Sequence, residues 1–258
     1  MNRSGAPARA VVREVPETYP NCLVRQPRRP EIDLERARGQ HEAYSEALAA
    51  AGLEVIRLPA TIEHPDCCFI EDTVVILPDR ALITRPGALG RRGETAPVEA
   101  LLERFMPIQR VLPPGTLDGG DVLIAGRHLF AGRSQRTNPA GIRQLGRAAR
   151  ENGLELTEVP VRAALHLKSL VTALADDLLI CPEGFDFDRF GLDLLRIPDQ
   201  ESFAANVMRL PGDRRLLLAK GAPRTEQRLR NAGFECATID TSEFRKGDGA
   251  LTCLSVLF

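Results

Sequence analysis

The residues most able to do chemistry are a cysteine, a histidine and several carboxylates, each on a short polar turn beside an apolar run. In "KGDGALTCLSV", Cys253 follows Gly247, Asp248 and Gly249 and precedes an apolar tail. In "RAALHLKSLVTAL", His166 lies between Leu165 and Leu167 in a strand-like stretch, with Lys168 and Ser169 behind it. "GTLDGGDVLIAG" sets Asp118 before two glycines, which permit backbone conformations that other residues avoid and let a ligand approach the chain closely; Asp121 follows. "HPDCCFIEDTVVI" carries Asp66, Glu71 and Asp72, the last two just ahead of the apolar run Val74 to Leu77. Taken singly, each cluster has a plain explanation: a capped acidic turn, a satisfied core histidine, a buried structural thiol. Taken together, a thiol, an imidazole and paired carboxylates at strand ends are the parts for nucleophilic attack on a cationic carbon, with the histidine moving the protons.

Two loops add arginines. "ITRPGALGRRGET" holds Arg85, Arg91 and Arg92, and "AGRSQRTNPAG" holds Arg133 and Arg136. Either could be a solvated surface loop, but a guanidinium fork is also the usual device for fixing a carboxylate bidentately. Acids at one end and arginines at the other suggest a zwitterionic substrate with a cationic far end.

Something must bring these turns together, and the pattern of elements is repetitive. "ALAAAGLEVIRLP", "AARENGLELTEVP" and "RLRNAGFECATID" each read as the end of an amphipathic helix, a glycine at the left-handed C′ position (Gly52, Gly153, Gly233) and a short alternating strand. Asp33 can cap a helix whose inner face runs through Ala37, Tyr44, Leu48 and Ala51. Val98, Leu101, Leu102 and Phe105 keep helical spacing, and Asn138 with Pro139 forms an N-cap and N1 pair before Ile142 and Leu145. "RALITRPG", "HLFAGRS", "RLLLAKGAP", "DLLICPEG" and "RAVVREVP" read as further strands. The pattern predicts five units of strand, loop, helix and strand, roughly 50 residues each. A doubly wound sheet would also alternate strands and helices; the recurrence of one unit favours radial symmetry.

With 258 residues the chain can bury a sizeable core without staples. Lys and Arg number 34 against 35 Asp and Glu, which favours neither a nucleic acid nor an anionic membrane as partner. No apolar run approaches a membrane span or a signal-peptide core, so a cytoplasmic protein is expected. The six cysteines (Cys22, Cys67, Cys68, Cys181, Cys236, Cys253) form no CxxC pair and have no histidine at metal-ligand spacing. Most read as small buried hydrophobes. Without a linker or low-complexity segment, residues 1–258 are expected to be one catalytic domain, with about residues 1–10 as a flexible tail.

"PDCCFIEDTVV", "ALITRPGALGRRGE", "TLDGGDVLIAGR", "GRSQRTN", "LHLKS" and "KGDGALTCLSV", in that order, resemble the dimethylarginine dimethylaminohydrolase family of guanidino-modifying enzymes, the penteins. The resemblance runs from about Val11 to the C-terminus. It implies an α/β fold, a five-bladed pseudo-symmetric α/β propeller, and hydrolysis of an Nω-methylated arginine to citrulline and an alkylamine, with no cofactor and no metal.

It also implies roles: Cys253 as nucleophile, His166 as general acid and base, and Asp118 contacting both the guanidinium and His166. Asp72 becomes a second guanidinium contact, Arg91 and Arg136 grip the substrate carboxylate, and Asp66 lies near its α-amino group. Glu71, Phe69 and Ser169 are pocket neighbours, with Gly247 and Asp248 in the wall. "CLVRQPRRP" falls at the family's lid, so that Leu23 or Val24 touches the ligand. Two departures stand out. Gly247 replaces a β-branched residue, which would loosen that wall, and the lid is rich in arginine and proline. The implied partner is a small guanidino amino acid, not a nucleic acid or membrane, and a homodimer is left open. The alternatives are an arginine deiminase or amidinotransferase of the same superfamily, or a non-catalytic ligand-binding relative.

Overall fold

A computed structural model describes residues 8–25, 31–162, 164–188 and 191–258. In chain order the elements are β1 (Arg9–Arg13), α1 (Leu34–Ala50), β2 (Glu54–Leu58), β3 (Val74–Ile76), β4 (Ala81–Ile83), α2 (Thr95–Leu102), β5 (Ile108–Arg110), β6 (Val122–Ala125), β7 (His128–Arg133), α3 (Pro139–Glu151) and β8 (Glu155–Pro160). There follow β9 (Thr172–Ala173), β10 (Leu178–Pro182), β11 (Asp193–Ile197), β12 (Met208–Arg209), β13 (Arg215–Ala219), α4 (Pro223–Asn231), β14 (Glu235–Ile239), α5 (Ser242–Lys246) and β15 (Ser255–Leu257).

The strands form five separate three-stranded sheets with one repeated plan. A short inner strand pairs antiparallel with the central strand, as in Leu123↔Phe130, and the central strand pairs parallel with an outer one, as in Phe130↔Thr157. A parallel neighbour needs a crossover connection, and a helix supplies it in four of the sheets. In the first sheet the inner strand is β15, pairing Val256 with Val11, so residues 255–257 complete a sheet begun by residues 9–13.

What arranges the sheets in a ring is the period-2 alternation of the central strands, each buried on both faces. Leu129 and Ala131 of β7 pack toward the sheet of β4, while Phe130 between them packs toward the sheet of β10. Leu82 and its neighbours Ala81 and Ile83 divide in the same way, as do Ile180 against Leu179 and Cys181, Leu217 against Leu216 and Leu218, and Val11 against Ala10 and Val12. Five apolar clusters result, each spanning two neighbouring sheets, and together they close a five-bladed ring by packing rather than by hydrogen bonds. The five inner strands surround a central cavity of about 300 Å³.

Most of the expected elements are present. Asp33 caps α1 through Arg36 N, and Asn138 caps α3 through Gly141 N at 2.8 Å. Gly52, Gly153 and Gly233 all have positive φ (95°, 69° and 85°). Three expectations are corrected. Arg9 and Ala10 are not tail: they belong to β1 and pair with Glu54 and Val55 of β2, and of the first ten residues only 1–7 lie outside the described ones. Helix α2 ends at Leu102, so Phe105 leaves its buried face and packs at a tilt against Phe258, with the Arg9 guanidinium over its ring. Between β10 and β11 no α-helix occurs among the described residues.

Candidate active site

Each inner strand is entered through a tight turn, and these turns gather at one end of the central cavity. Ile70–Thr73 precedes β3, Gly119–Asp121 precedes β6, Leu167–Ser169 precedes β9, Asp199–Ala205 precedes β12 and Thr252–Leu254 precedes β15. Glu71, Gly119, Lys168 and Thr252 line that end of the cavity. The turns therefore bring Glu71 and Asp72, Asp118, His166 and Cys253 to one place from four different blades. His166 is not on a strand as its sequence suggested; it lies in extended conformation just before a single 3₁₀ turn.

The imidazole of His166, 4% exposed, is held between two carboxylates. Its Nε2 is 3.0 Å from Asp118 Oδ2 and its Nδ1 is 3.8 Å from Asp72 Oδ1. Asp118 Oδ1 accepts from Gly87 N, and Asp72 Oδ1 accepts from Gly120 N, both at 2.9 Å. Burial alone would lower the pKa of His166, but Asp72 and Asp118 outweigh it and raise it to about 9. Asp72 is held down at about 2 against its own burial by His166 and Arg91. The acids therefore favour the imidazolium form of His166 at neutral pH.

The glycines beside Asp118 permit this closeness. A Cβ on Gly120 would lie 2.7 Å from both Asp72 Oδ1 and His166 Nδ1, and one on Gly119 would overlap the carbonyl oxygen of Glu71. Asp121, also buried, accepts from Leu167 N at 3.0 Å and from Ser134 Oγ at 2.6 Å, tying the histidine turn to the Arg136 loop. Burial raises its pKa to about 6.

Cys253 is half-buried. Burial first, then Glu71 and Asp72, push its thiol well above the usual range, with Lys168 opposing weakly. These neighbours favour the protonated thiol. Glu71 accepts from Lys168 Nζ at 2.5 Å and from Thr252 Oγ1 at 2.9 Å.

The arginines divide. Arg91, expected at the substrate carboxylate, is 5% exposed and donates to Asp72 Oδ2 at 2.5 Å, to Glu94 at 2.8 Å and to the carbonyl of Phe69 at 3.0 Å. A guanidinium with its donors so engaged is a support for Asp72. Arg136 has the opposite character. Its Nη1 is buried with no hydrogen-bond partner among the described residues. A buried unpaired donor is costly unless a ligand meets it.

Asp66 accepts from Leu23 N at 3.1 Å, and Leu23 is 44% exposed. Val24 packs on the adjoining apolar cluster, and Gln26 to Pro30, the rest of the expected lid, lie outside the described residues. Phe69 packs edge-on against Tyr19 and Phe244, and a Cβ on Gly249 would overlap its ring. Ser169 and Asp248 line a cavity of about 310 Å³ beside the Cys253 loop. Asp248 adopts φ 57° and accepts from Arg25 N. Gly247 does not leave the wall loose. A Cβ there would lie 2.8 Å from Tyr19 Oη and 2.9 Å from Cys22 Sγ, so those groups already fill the space.

Asp72, Asp118 and His166 present donor atoms within 4.8 Å of one another, a set with the composition to take a cation, although all three are buried and already paired. Glu94, Asn206 and Thr252 join the site's hydrogen-bond network without having been singled out by the sequence.

One consequence concerns stability. The folded pKa of His166, about 9, lies above its ordinary 6.5, so its ion pairs stabilise the fold fully below pH 6.5 and are lost as pH rises through 9. Melting temperature should fall between pH 6.5 and 9.5, and the fall should shrink in His166→Asn. An unchanged fall in that variant would contradict the pairing.

No protein-family model matches the chain. It is 42% identical over 254 residues, 96% of each chain, to the N(G),N(G)-dimethylarginine dimethylaminohydrolase of Streptomyces coelicolor. It is 36% identical over 232 residues to the enzyme of the same name from Pseudomonas aeruginosa, covering 88% of this chain and 90% of that one. The solved structure of the Pseudomonas aeruginosa enzyme, a cysteine-to-serine mutant complexed with citrulline, matches with a TM-score of 0.92 at 32% identity, over 98% of this chain and 99% of that one. The N-terminal domain of a cyanobacterial arginine dihydrolase, 18% identical, shares the fold with a TM-score of 0.87. On turns that converge as described, and at this identity over nearly the whole length, the chain belongs to the dimethylarginine dimethylaminohydrolase family.

Proposed function

We propose that this protein hydrolyses Nω-methylated arginine to citrulline and the corresponding methylamine, with Cys253 as nucleophile. The observation that carries the reading is the buried His166 imidazole, held by Asp118 and Asp72 at the end of the ring where Cys253 also lies.

A guanidinium carbon is a poor electrophile because its charge is delocalised, so a thiolate is needed, and burial with Glu71 and Asp72 disfavours one. The substrate corrects this itself. Its cation beside Cys253 stabilises the thiolate, and the thiol proton leaves to solvent. Asp118 and Asp72 orient the planar group, and Sγ attacks its central carbon. The resulting tetrahedral adduct collapses as the C–N bond to the methylated nitrogen breaks, with His166 donating the proton the departing amine requires. This leaves an S-alkylthiouronium on Cys253. Neutral His166 then takes a proton from water as its oxygen attacks the carbon. The C–S bond breaks as the sulfur leaves as a thiolate, the remaining hydroxyl proton is lost to solvent to give the ureido carbonyl, the thiolate takes up a proton from solvent, and citrulline departs. Orientation between two anchors can contribute on the order of 7 kcal/mol to lowering the barrier.

The far anchor is Arg136, whose buried Nη1 would donate to the α-carboxylate. Arg136→Met should raise KM on the order of 100-fold with a smaller change in kcat, since a charge-assisted pair is lost in ground and transition states alike. A kcat loss at unchanged KM would contradict this placement. The whole reading is tested by separate incubation with asymmetric dimethylarginine, monomethylarginine and arginine, measuring citrulline and released amine. Turnover of the methylated substrates is expected. No turnover of any of the three would overturn it, and fast turnover of arginine alone would make the protein a deiminase.

A further inference from the structure

Of the five turns that enter the inner strands, four carry residues with a proposed part in the reaction. The turn ahead of β12 carries none, yet it ends on Asn206, which is 1% exposed and points its amide into the same cluster. Both donors and the oxygen of this amide are directed at its neighbours. Nδ2 donates to the carbonyl of Lys168 at 2.9 Å and to Thr252 Oγ1 at 3.0 Å, while Oδ1 accepts from Thr252 N at 2.8 Å. Lys168 is two residues beyond His166, and Thr252 immediately precedes Cys253.

We infer that Asn206 is a positioning residue for the reaction: a single buried side chain from the fifth blade fixes the nucleophile's turn to the histidine's turn. The inference rests on the hydrolase reading above.

The proton directions around the network are consistent. Thr252 Oγ1, having accepted from Asn206, donates to Glu71 Oε2, and Lys168 Nζ donates to Glu71 Oε1. Lys168 and Thr252 are thus joined twice, once through the amide and once through the carboxylate. Asn206 is itself held, since Thr172 Oγ1 donates to the carbonyl of Ala205 at 2.6 Å and accepts from Val207 N at 3.1 Å. The histidine turn is fixed on its other side by Asp121 through Leu167 N. Only an amide serves here. It offers two donors and one acceptor in a plane, whereas a carboxylate would lack both donors and add charge beside Glu71.

Because the sheets are not joined by ladders, the separation of Sγ from the imidazole depends on such side-chain bridges. A displacement on the order of 1 Å can reduce the rate by about 100-fold.

Asn206→Ala and Asn206→Ser should lower kcat roughly 100-fold with KM within about threefold of the parent, because the anchors of the substrate are untouched. Leu145→Ala, a cavity in the core beside α3, serves as a control for lost stability and should keep the parent kcat at a temperature where it is folded. Alkylation of Cys253 by iodoacetamide reads the thiol without any substrate, and its pH profile should shift in the Asn206 variants and not in the control. If the folded Asn206 variants keep kcat and the alkylation profile while losing only melting temperature, as Leu145→Ala does, Asn206 is structural and the inference fails. If the parent itself turns over no methylated arginine, it is the hydrolase reading that fails, and the alkylation profile still decides whether Asn206 sets the environment of Cys253.

Discussion

Cys253→Ser should lose citrulline production by on the order of 10⁴-fold or more while still binding methylated arginine. A hydroxyl is far less acidic than a thiol, and burial, Glu71 and Asp72 already oppose an anion at this position. The bound cation can offset that penalty for sulfur but not for oxygen. Binding survives because the groups assigned to it, Asp118, Asp72 and Arg136, lie on other blades. Isothermal titration with the substrate, beside a citrulline assay, separates the two effects. Turnover within tenfold of the parent would remove Cys253 as nucleophile.

Gly119→Ala should be the most damaging single methyl in the protein's centre. Its Cβ would be driven into the carbonyl oxygen of Glu71 and to within 2.9 Å of that of Val74. Neither is the free end of a side chain, so the Asp118 turn must back away from the Asp72 turn. Overpacking of this kind costs about 3 kcal/mol. In a chain of this size that lowers the melting temperature by roughly 6–12 °C. Activity should fall further than stability, because the same retreat pulls Asp118 from His166. Calorimetry and a citrulline assay on the folded variant check both. A variant as stable and as active as the parent would mean that the two turns are not in contact.

The sequence made the ring legible through its outer parts. Helices with a glycine stop and an alternating strand are long enough to show their period, and β7 and β13 were visible as apolar runs. Of the inner strands, β3, β6 and β15 showed only as short apolar runs after the polar turns, and β9 and β12 did not show. Thr172–Ala173 and Met208–Arg209 are two residues each, too short for any period to register, and they define the central cavity. That is also why Asn206 escaped notice: in "AANVM" nothing marks it as the end of a turn facing the centre.

Cys253, His166 and Asp118 stood out because reactive types fell on glycine-flanked or apolar turns. Partners were harder to read than types. Arg91 sits in a loop that suits an anion, but the acids that claim it, Asp72 and Glu94, become neighbours only when the turns fold together. Gly247 illustrates the same limit. A missing side chain suggests space, whereas Tyr19 and Cys22, far away in the chain, fill it.

The central claim is covalent attack by Cys253 assisted by His166. Mixing the parent enzyme with excess asymmetric dimethylarginine, quenching in acid during turnover and measuring intact mass tests it most directly. The account predicts a species heavier by the substrate less dimethylamine, mapping to Cys253 and absent from Cys253→Ser. In His166→Ala, a substrate analogue whose leaving group needs no proton should still form the adduct, which should then persist. Steady production of citrulline with no adduct at Cys253 in either protein would contradict the account.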